Sequence, residues 1–185
     1  MPRLPFPADT DAFSDETRDA VRYIQETRGS LPPPSTYLAY AGEVAKRLAD
    51  LSGYLRYKTS FTDAETEIAI CAAARAMNAD FIWSAHVRLG LAAGTREEAI
   101  HAIDTFGPLD GLTDDEALII RYSRELLEDK KVKDETFEAV RARWGESGVL
   151  ELTAIMSVYL MNATILRSMD HQAGPDARLL TPRKS

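Results

Sequence analysis

The sequence predicts an all-α protein, and three kinds of signal agree on it. Thr62, Thr95 and Thr113 each stand three residues before a glutamate, Glu65, Glu98 and Glu116, the spacing at which hydroxyl and carboxylate cap a first helical turn reciprocally. Gly53, Gly94 and Gly145 each follow a periodic apolar segment, where a left-handed residue ends a helix. Between these marks the apolar residues recur at three- and four-residue intervals, and no alternating strand pattern competes.

In chain order, the first helix is expected near 14–28. Pro2, Pro5 and Pro7 before it and the triplet Pro32-Pro33-Pro34 after it read as extended connectors, because proline fixes φ, lacks a donor and disfavours helix in the preceding residue. Tyr37, Tyr40, Val44, Leu48 and Leu51 share one face of a helix near 36–51. Helices near 63–77 and 80–93 form a hairpin about the turn Asn78-Ala79, with Asp80 as the cap of the second. A segment near 96–106 stops hard at Gly107-Pro108, and others follow near 114–128 and 135–144. The last, near 148–169, carries Val149, Leu152, Ile155, Met156, Tyr159, Ala163 and Leu166; it is apolar on several sides and reads as central. That makes about eight helices with short connections between antiparallel neighbours. The tail from Gly174 has no periodicity and is expected to gain order only by packing on a neighbouring subunit. No internal repeat is found by spacing.

A chain of 185 residues buries one good core, so a single domain is expected. Residues 1–34 read as an N-terminal extension and first helix packing on the core, 35–170 as the helical domain, and 171–185 as a C-terminal tail. At 45% hydrophobic and 28% charged, the composition excludes disordered and collagenous chains. With a formal net charge of −7 and no basic stripe, nucleic acid is not an expected partner. No apolar run approaches membrane-spanning length, so no membrane partner is expected either. The opening MPRLPFPADTD lacks the apolar core of a secretory signal, and the single cysteine, Cys71, cannot form an internal disulfide. Both point to the cytoplasm.

Chemistry is sought at Glu67 and His86, two ionisable residues inside an otherwise alanine-rich, apolar pattern. Such groups are costly on a core-facing stripe unless they are paired or used. Counted from the turn, their heights differ by roughly 6 Å at about 1.5 Å per residue, within side-chain reach. A carboxylate that accepts from imidazole fixes its tautomer and leaves the other nitrogen to exchange a proton with a substrate. The competing reading has His86 satisfying a buried polar group and Glu67 paired with Arg75 or Arg88. Trp83, one turn before His86, is a candidate pocket wall or plain core, and Tyr40, Tyr159 and Asn162 are weaker candidates for the same role. Arg88 is a candidate fork for a substrate carboxylate, on a different face from His86. No metal is expected, since neither a His-x-x-x-His pair nor a Glu-x-x-His set is present, and no cofactor is called for. His101 and His171 read as surface or interface residues. Cys71 reads as a small buried hydrophobe.

The stretch NADFIWSAHVRLGLAAGTREEAI, preceded by the helix that carries Glu67, resembles the core of the carboxymuconolactone decarboxylase and alkyl hydroperoxidase D (AhpD-like) superfamily over roughly residues 35 to 165. The elements that carry the likeness are Glu67, Trp83, His86, Arg88 and the Gly94 turn followed by Thr95-Arg96-Glu97-Glu98. The resemblance implies an all-helical, AhpD-like bundle assembling as a homotrimer or homohexamer, with a small-molecule substrate held near subunit contacts. In the hydroperoxidase branch a glutamate and a histidine flank a Cys-x-x-Cys pair, and Glu67 and His86 match the first two. Ala79 and Ile82 stand where the cysteines belong, so two-cysteine peroxidase or peroxiredoxin chemistry is not expected. The decarboxylase branch tends to carry a glutamate at the place of Ile82. What the resemblance leaves is a lyase or isomerase without cofactor, with His86 as acid and Glu67 orienting it, or an oligomer that binds a small ligand without turning it over.

Overall fold

The computed structural model describes residues 3–5 and 13–183; Pro2 and Pro7 of the opening segment and residues 184 and 185 lie outside it. The described residues are helical or irregular, with no strand among them. The elements are α1 (Asp15–Arg28), α2 (Pro33–Leu38), a 3-10 turn (Ala39–Ala41), α3 (Gly42–Tyr57), α4 (Asp63–Ala76), α5 (Asp80–Ala93), α6 (Glu97–Thr105), α7 (Asp114–Leu127) and α8 (Asp134–Ser168).

Local chemistry accounts for most of these boundaries. Thr62 and Thr113 form the expected capping boxes with Glu65 and Glu116, each satisfying two orphan backbone donors. The third Thr-x-x-Glu does not: Arg96 is the cap residue of α6, and the Thr95 hydroxyl donates to the Ala64 carbonyl at 3.1 Å. A tertiary bond has taken the group that a local cap needs. Asp80 is likewise the first residue of α5 rather than its cap, which is Ala79.

Two further expectations change. The proline triplet opens α2 instead of extending the chain, with Pro32 as cap and prolines in the first turn, where their missing N–H groups cost nothing. The helix expected near 36–51 is therefore divided at the 3-10 turn, and Gly53 lies inside α3 rather than ending it. Gly94, by contrast, closes α5 in the left-handed region at φ 97°.

The helices expected near 135–144 and 148–169 run on as α8, broken at Gly145 (φ 75°, ψ 178°), a conformation open almost only to glycine. An 18-residue window of α8 has a mean hydropathy of 1.6, so one helix is long and apolar enough to cross a membrane by composition, contrary to the expectation that none is. Of that window 44% is buried inside the protein.

The chain divides into two compact units, one comprising the chain up to Lys58 with Met161–Gln172, the other Thr59–Leu160 with the tail from Ala173. These boundaries differ from the divisions read at 34/35 and 170/171. In the first unit α1 packs on α3, burying Ala20, Val21, Ile24, Ala45 and Ala49. In the second, α4 is the central element: every residue from Thr66 to Arg75 is buried, and α4 packs on α5, α6 and α7. The alanine run makes this possible, because small side chains let several helices approach one axis. In the C-terminal helix, expected to be central, Leu152, Ile155 and Met156 are fully buried as well.

The tail, expected to gain order only by packing on a neighbouring subunit, makes polar contacts within its own chain. Leu180 N donates to Asp80 (2.9 Å), Thr181 N and Oγ1 to Asp104 (2.9 and 2.7 Å), and Arg183 to Glu128 (2.8 and 2.9 Å).

Candidate active site

α4 and α5 form the expected hairpin. The turn is closed by Asn78 in the left-handed region (φ 47°) and by the Ala79 amide, which donates to the Ala74 carbonyl at 2.9 Å. This places Glu67 on α4 opposite His86 on α5. His86 Nδ1 lies 2.7 Å from Glu67 Oε2, the length of a charge-assisted bond. When Glu67 is ionised it can only accept, and the tautomer that makes this bond carries its proton on Nδ1. The Glu67 side chain is 3% exposed and that of His86 12%, so the carboxylate is the buried anchor and the imidazole reaches toward solvent.

The competing pairings with arginine are not found. Arg75 Nη1 donates to Asn78 at 3.3 Å, and its guanidinium lies 5.0 Å from the centre of the Phe106 ring. Arg88 is exposed and lines a groove with Phe81, Ser84, Leu91 and tail residues 173–178, on a different face of α5 from His86, as its spacing required.

Among the proposed binding residues, Tyr159 of α8 is brought to the pair, its ring meeting that of His86 edge-on with centroids 4.8 Å apart. Trp83 is fully buried and its Nε1 has no hydrogen-bond partner; it is core in this structure. Tyr40 belongs to the first unit, where its hydroxyl donates to the Pro5 carbonyl at 2.9 Å and its ring meets Phe13 edge-on. Asn162, also of that unit, keeps a buried Oδ1 with no partner. His101 is exposed. His171 is half-buried, with Nδ1 3.0 Å from the Tyr37 hydroxyl, and burial lowers its proton affinity.

Cys71, one turn after Glu67, is fully buried. Burial, and then the charge of Glu67, push its thiol well above the ordinary range, which withholds the thiolate that attack on peroxide requires. No group of three or more His, Cys, Asp or Glu able to hold a metal occurs among the described residues.

Two residues at the pair were missed in the sequence. Gly90 lies one turn beyond His86, and a Cβ built there falls 3.2 Å from Glu67 Cβ and 3.2 Å from Thr95 Oγ1. Thr95 is buried beside it and ties the α5–α6 turn to Ala64 on α4. The visible signal was a glycine inside a helix at a four-residue interval from the histidine, which marks close backbone approach as often as a weak point.

Residues 42–106, about a third of the chain and the part that spans the whole hairpin, match the model of the Carboxymuconolactone decarboxylase family. Over that stretch the chain resembles the family. Its fold is also that of an alkylhydroperoxidase AhpD core, an uncharacterized peroxidase-related protein from Ralstonia eutropha JMP134, with TM-score 0.74 at 16% identity over 95% of this chain and 93% of that one. The debrominase Bmp8 is similar both in its apo form (TM-score 0.64, 14% identity) and as a variant in complex with 2,3,4-tribromopyrrole (TM-score 0.66, 12% identity), each over 87% of both chains. No curated protein sequence matches. The chain has Cys71 as its single cysteine, so it carries no Cys-x-x-Cys pair.

Proposed function

We propose that the protein is a lyase or isomerase that works without a cofactor on a small carboxylated or lactone metabolite, with Glu67 and His86 as its acid–base pair. The observation that carries this reading is the 2.7 Å contact between a buried carboxylate and a partly exposed imidazole. Glu67 holds the Nδ1 proton and stabilises the imidazolium; Nε2 exchanges a proton with the substrate. In a decarboxylation the bond from carbon to carboxylate breaks, carbon dioxide leaves, and the electron pair enters the conjugated lactone. His86 then returns a proton to carbon and is recharged from water. Tyr159, edge-on to the imidazole, flanks the place where the ring of a substrate would lie. That a similar fold holds 2,3,4-tribromopyrrole supports a small planar ring as the ligand. Arg88, on another face, serves a substrate carboxylate only across a subunit contact. The same reading makes the working form a homotrimer or homohexamer, supported by Val44, Leu51 and Tyr57 of α3, which are 46%, 48% and 64% exposed and form the kind of surface that subunits cover.

The rival peroxidase reading has no support at Cys71, whose thiol is buried and held protonated. The test is a panel of small lactone and aryl carboxylic acids, headed by carboxymuconolactone, followed by carbon dioxide release and ring absorbance. His86→Gln is expected to lower turnover by about 10²- to 10⁴-fold with the helical circular dichroism unchanged. Turnover that survives this substitution removes the acid–base reading. Ligand-induced heat stabilisation with no turnover by the native protein replaces it with a non-catalytic binding protein.

A further inference from the structure

We infer that Gly90 is a positioning residue: the missing Cβ at this place sets the spacing of α4 and α5 at which His86 reaches Glu67. The inference rests on the reading of that pair as the acid–base device, and it supplies what holds the pair together.

Gly90 follows His86 by four residues, so both lie on the face of α5 turned toward α4. A Cβ at Gly90 falls 3.2 Å from Glu67 Cβ on one side and 3.2 and 3.4 Å from Thr95 Oγ1 and Cβ on the other. These are not flexible ends. Glu67 Cβ is fixed to the backbone of a helix that is buried from Thr66 to Arg75, and Thr95, 4% exposed, is held twice, by its amide to the Gly90 carbonyl (2.8 Å) and by its hydroxyl to Ala64 (3.1 Å). A methyl group at 90 is relieved only by moving one helix a few tenths of an ångström. That movement takes the 2.7 Å bond out of the short range that charge-assisted bonds occupy. Alanine is the better helix former at an interior position, so local propensity does not explain a glycine here, whereas the close approach at Glu67 does.

The test reads the pair directly. In histidine labelled with ¹⁵N, the Nδ1–H of an imidazole bound to a carboxylate gives a downfield proton signal, assigned among the three histidines by its loss in His86→Gln. Gly90→Ala is expected to keep its helical circular dichroism and to shift this signal upfield or lose it to exchange, with kcat falling about tenfold and KM little changed. A merely structural role is separated by Ile103→Val, a buried control on α6 that costs stability and is expected to leave the signal in place. If Gly90→Ala aggregates, Gly90→Ala with Thr95→Ala relieves one contact, leaves that with Glu67, and is expected to show the same displacement. A folded variant with the native signal overturns the inference. The two readings fail separately: turnover that survives His86→Gln removes the acid–base role and leaves the positioning result standing, while an unmoved signal removes the positioning role alone.

Discussion

Two parts of the second unit, the α4–α5 hairpin and the tail from Ala173, are held by opposite means. The hairpin buries every residue from Thr66 to Arg75 and links its two helices through the buried contact between Glu67 and His86. The tail makes many polar contacts, to Ser84, Asp80, Glu97, Asp104 and Glu128, nearly all of them at the surface. Exposed ion pairs are typically worth only a few tenths to about 1 kcal/mol each and weaken with salt. A buried contact is hard to replace, because water cannot solvate what its loss leaves behind. One polar contact in the hairpin therefore outweighs several in the tail.

The largest expected effect follows from that asymmetry. His86→Ala takes a donor from a carboxylate that is 3% exposed and is expected to cost about 3 kcal/mol of unfolding free energy, in the range for breaking a buried pair. Glu67→Gln is expected to cost less, because the imidazole it leaves is closer to solvent, its side chain 12% exposed against 3% for the carboxylate. A double-mutant cycle with His86→Gln measures the pair itself, with an expected coupling of about 1.5–3 kcal/mol. Coupling below about 0.5 kcal/mol in urea unfolding would place the hairpin in the same class as the tail.

The hairpin was also the more legible region. The turn at Asn78-Ala79, the helix bounds to within a few residues and the Glu67–His86 pairing all followed from spacing, because short connections leave two helices few ways to meet. The failures have separate physical causes. Thr95 carries a capping pattern, but its hydroxyl is engaged by Ala64, and pattern cannot show a bond to a residue 31 positions away. Pro33 lies in the first turn of a helix, where the rule against proline does not apply. Gly53 reads as a stop and is an interior residue, whereas Gly145, read in the same way, does break its helix. The tail had no periodicity to read, since its order comes from backbone amides meeting acidic side chains of α5 and α6.

Between the two regions stands the Arg96–Glu116 pair, which joins the start of α6 to the first turn of α7. The hydrogen bond from Arg96, opposed in part by burial, holds the Glu116 carboxyl below its ordinary value of 4.5. A carboxylate with a lowered proton affinity in the folded state contributes stability that is full above its unfolded value and is lost as pH falls through the folded one. The expected loss is about 1 kcal/mol, since Arg96 is 39% exposed and solvent screens the pair. It is read as the difference in urea midpoint between pH 6 and pH 3.5, and Glu116→Gln is expected to reduce that difference. An unchanged pH slope in the variant assigns acid lability to other carboxylates.

The smallest effect is expected in the tail, where the measurement must be local. Arg183→Ala removes both bonds to Glu128 and those to the Arg75 and Ala76 carbonyls at the end of α4, yet the arginine is 36% exposed, so the global unfolding midpoint should move by no more than about 1 kcal/mol. Hydrogen exchange at the amides of Leu180 and Thr181 should rise several-fold, because each is held by one carboxylate and opens without unfolding the core. Raising the salt from 0.1 M to 1 M, where the screening length falls from about 10 Å to about 3 Å, is expected to reproduce part of that rise in the native protein and to leave amides of α4 unchanged. If Arg183→Ala instead lowers global stability as far as His86→Ala does, the tail is a structural part of the unit and the contrast between the regions is lost. Fast exchange confined to the tail shows that surface contacts order this segment while the folding free energy resides in the helices beneath it.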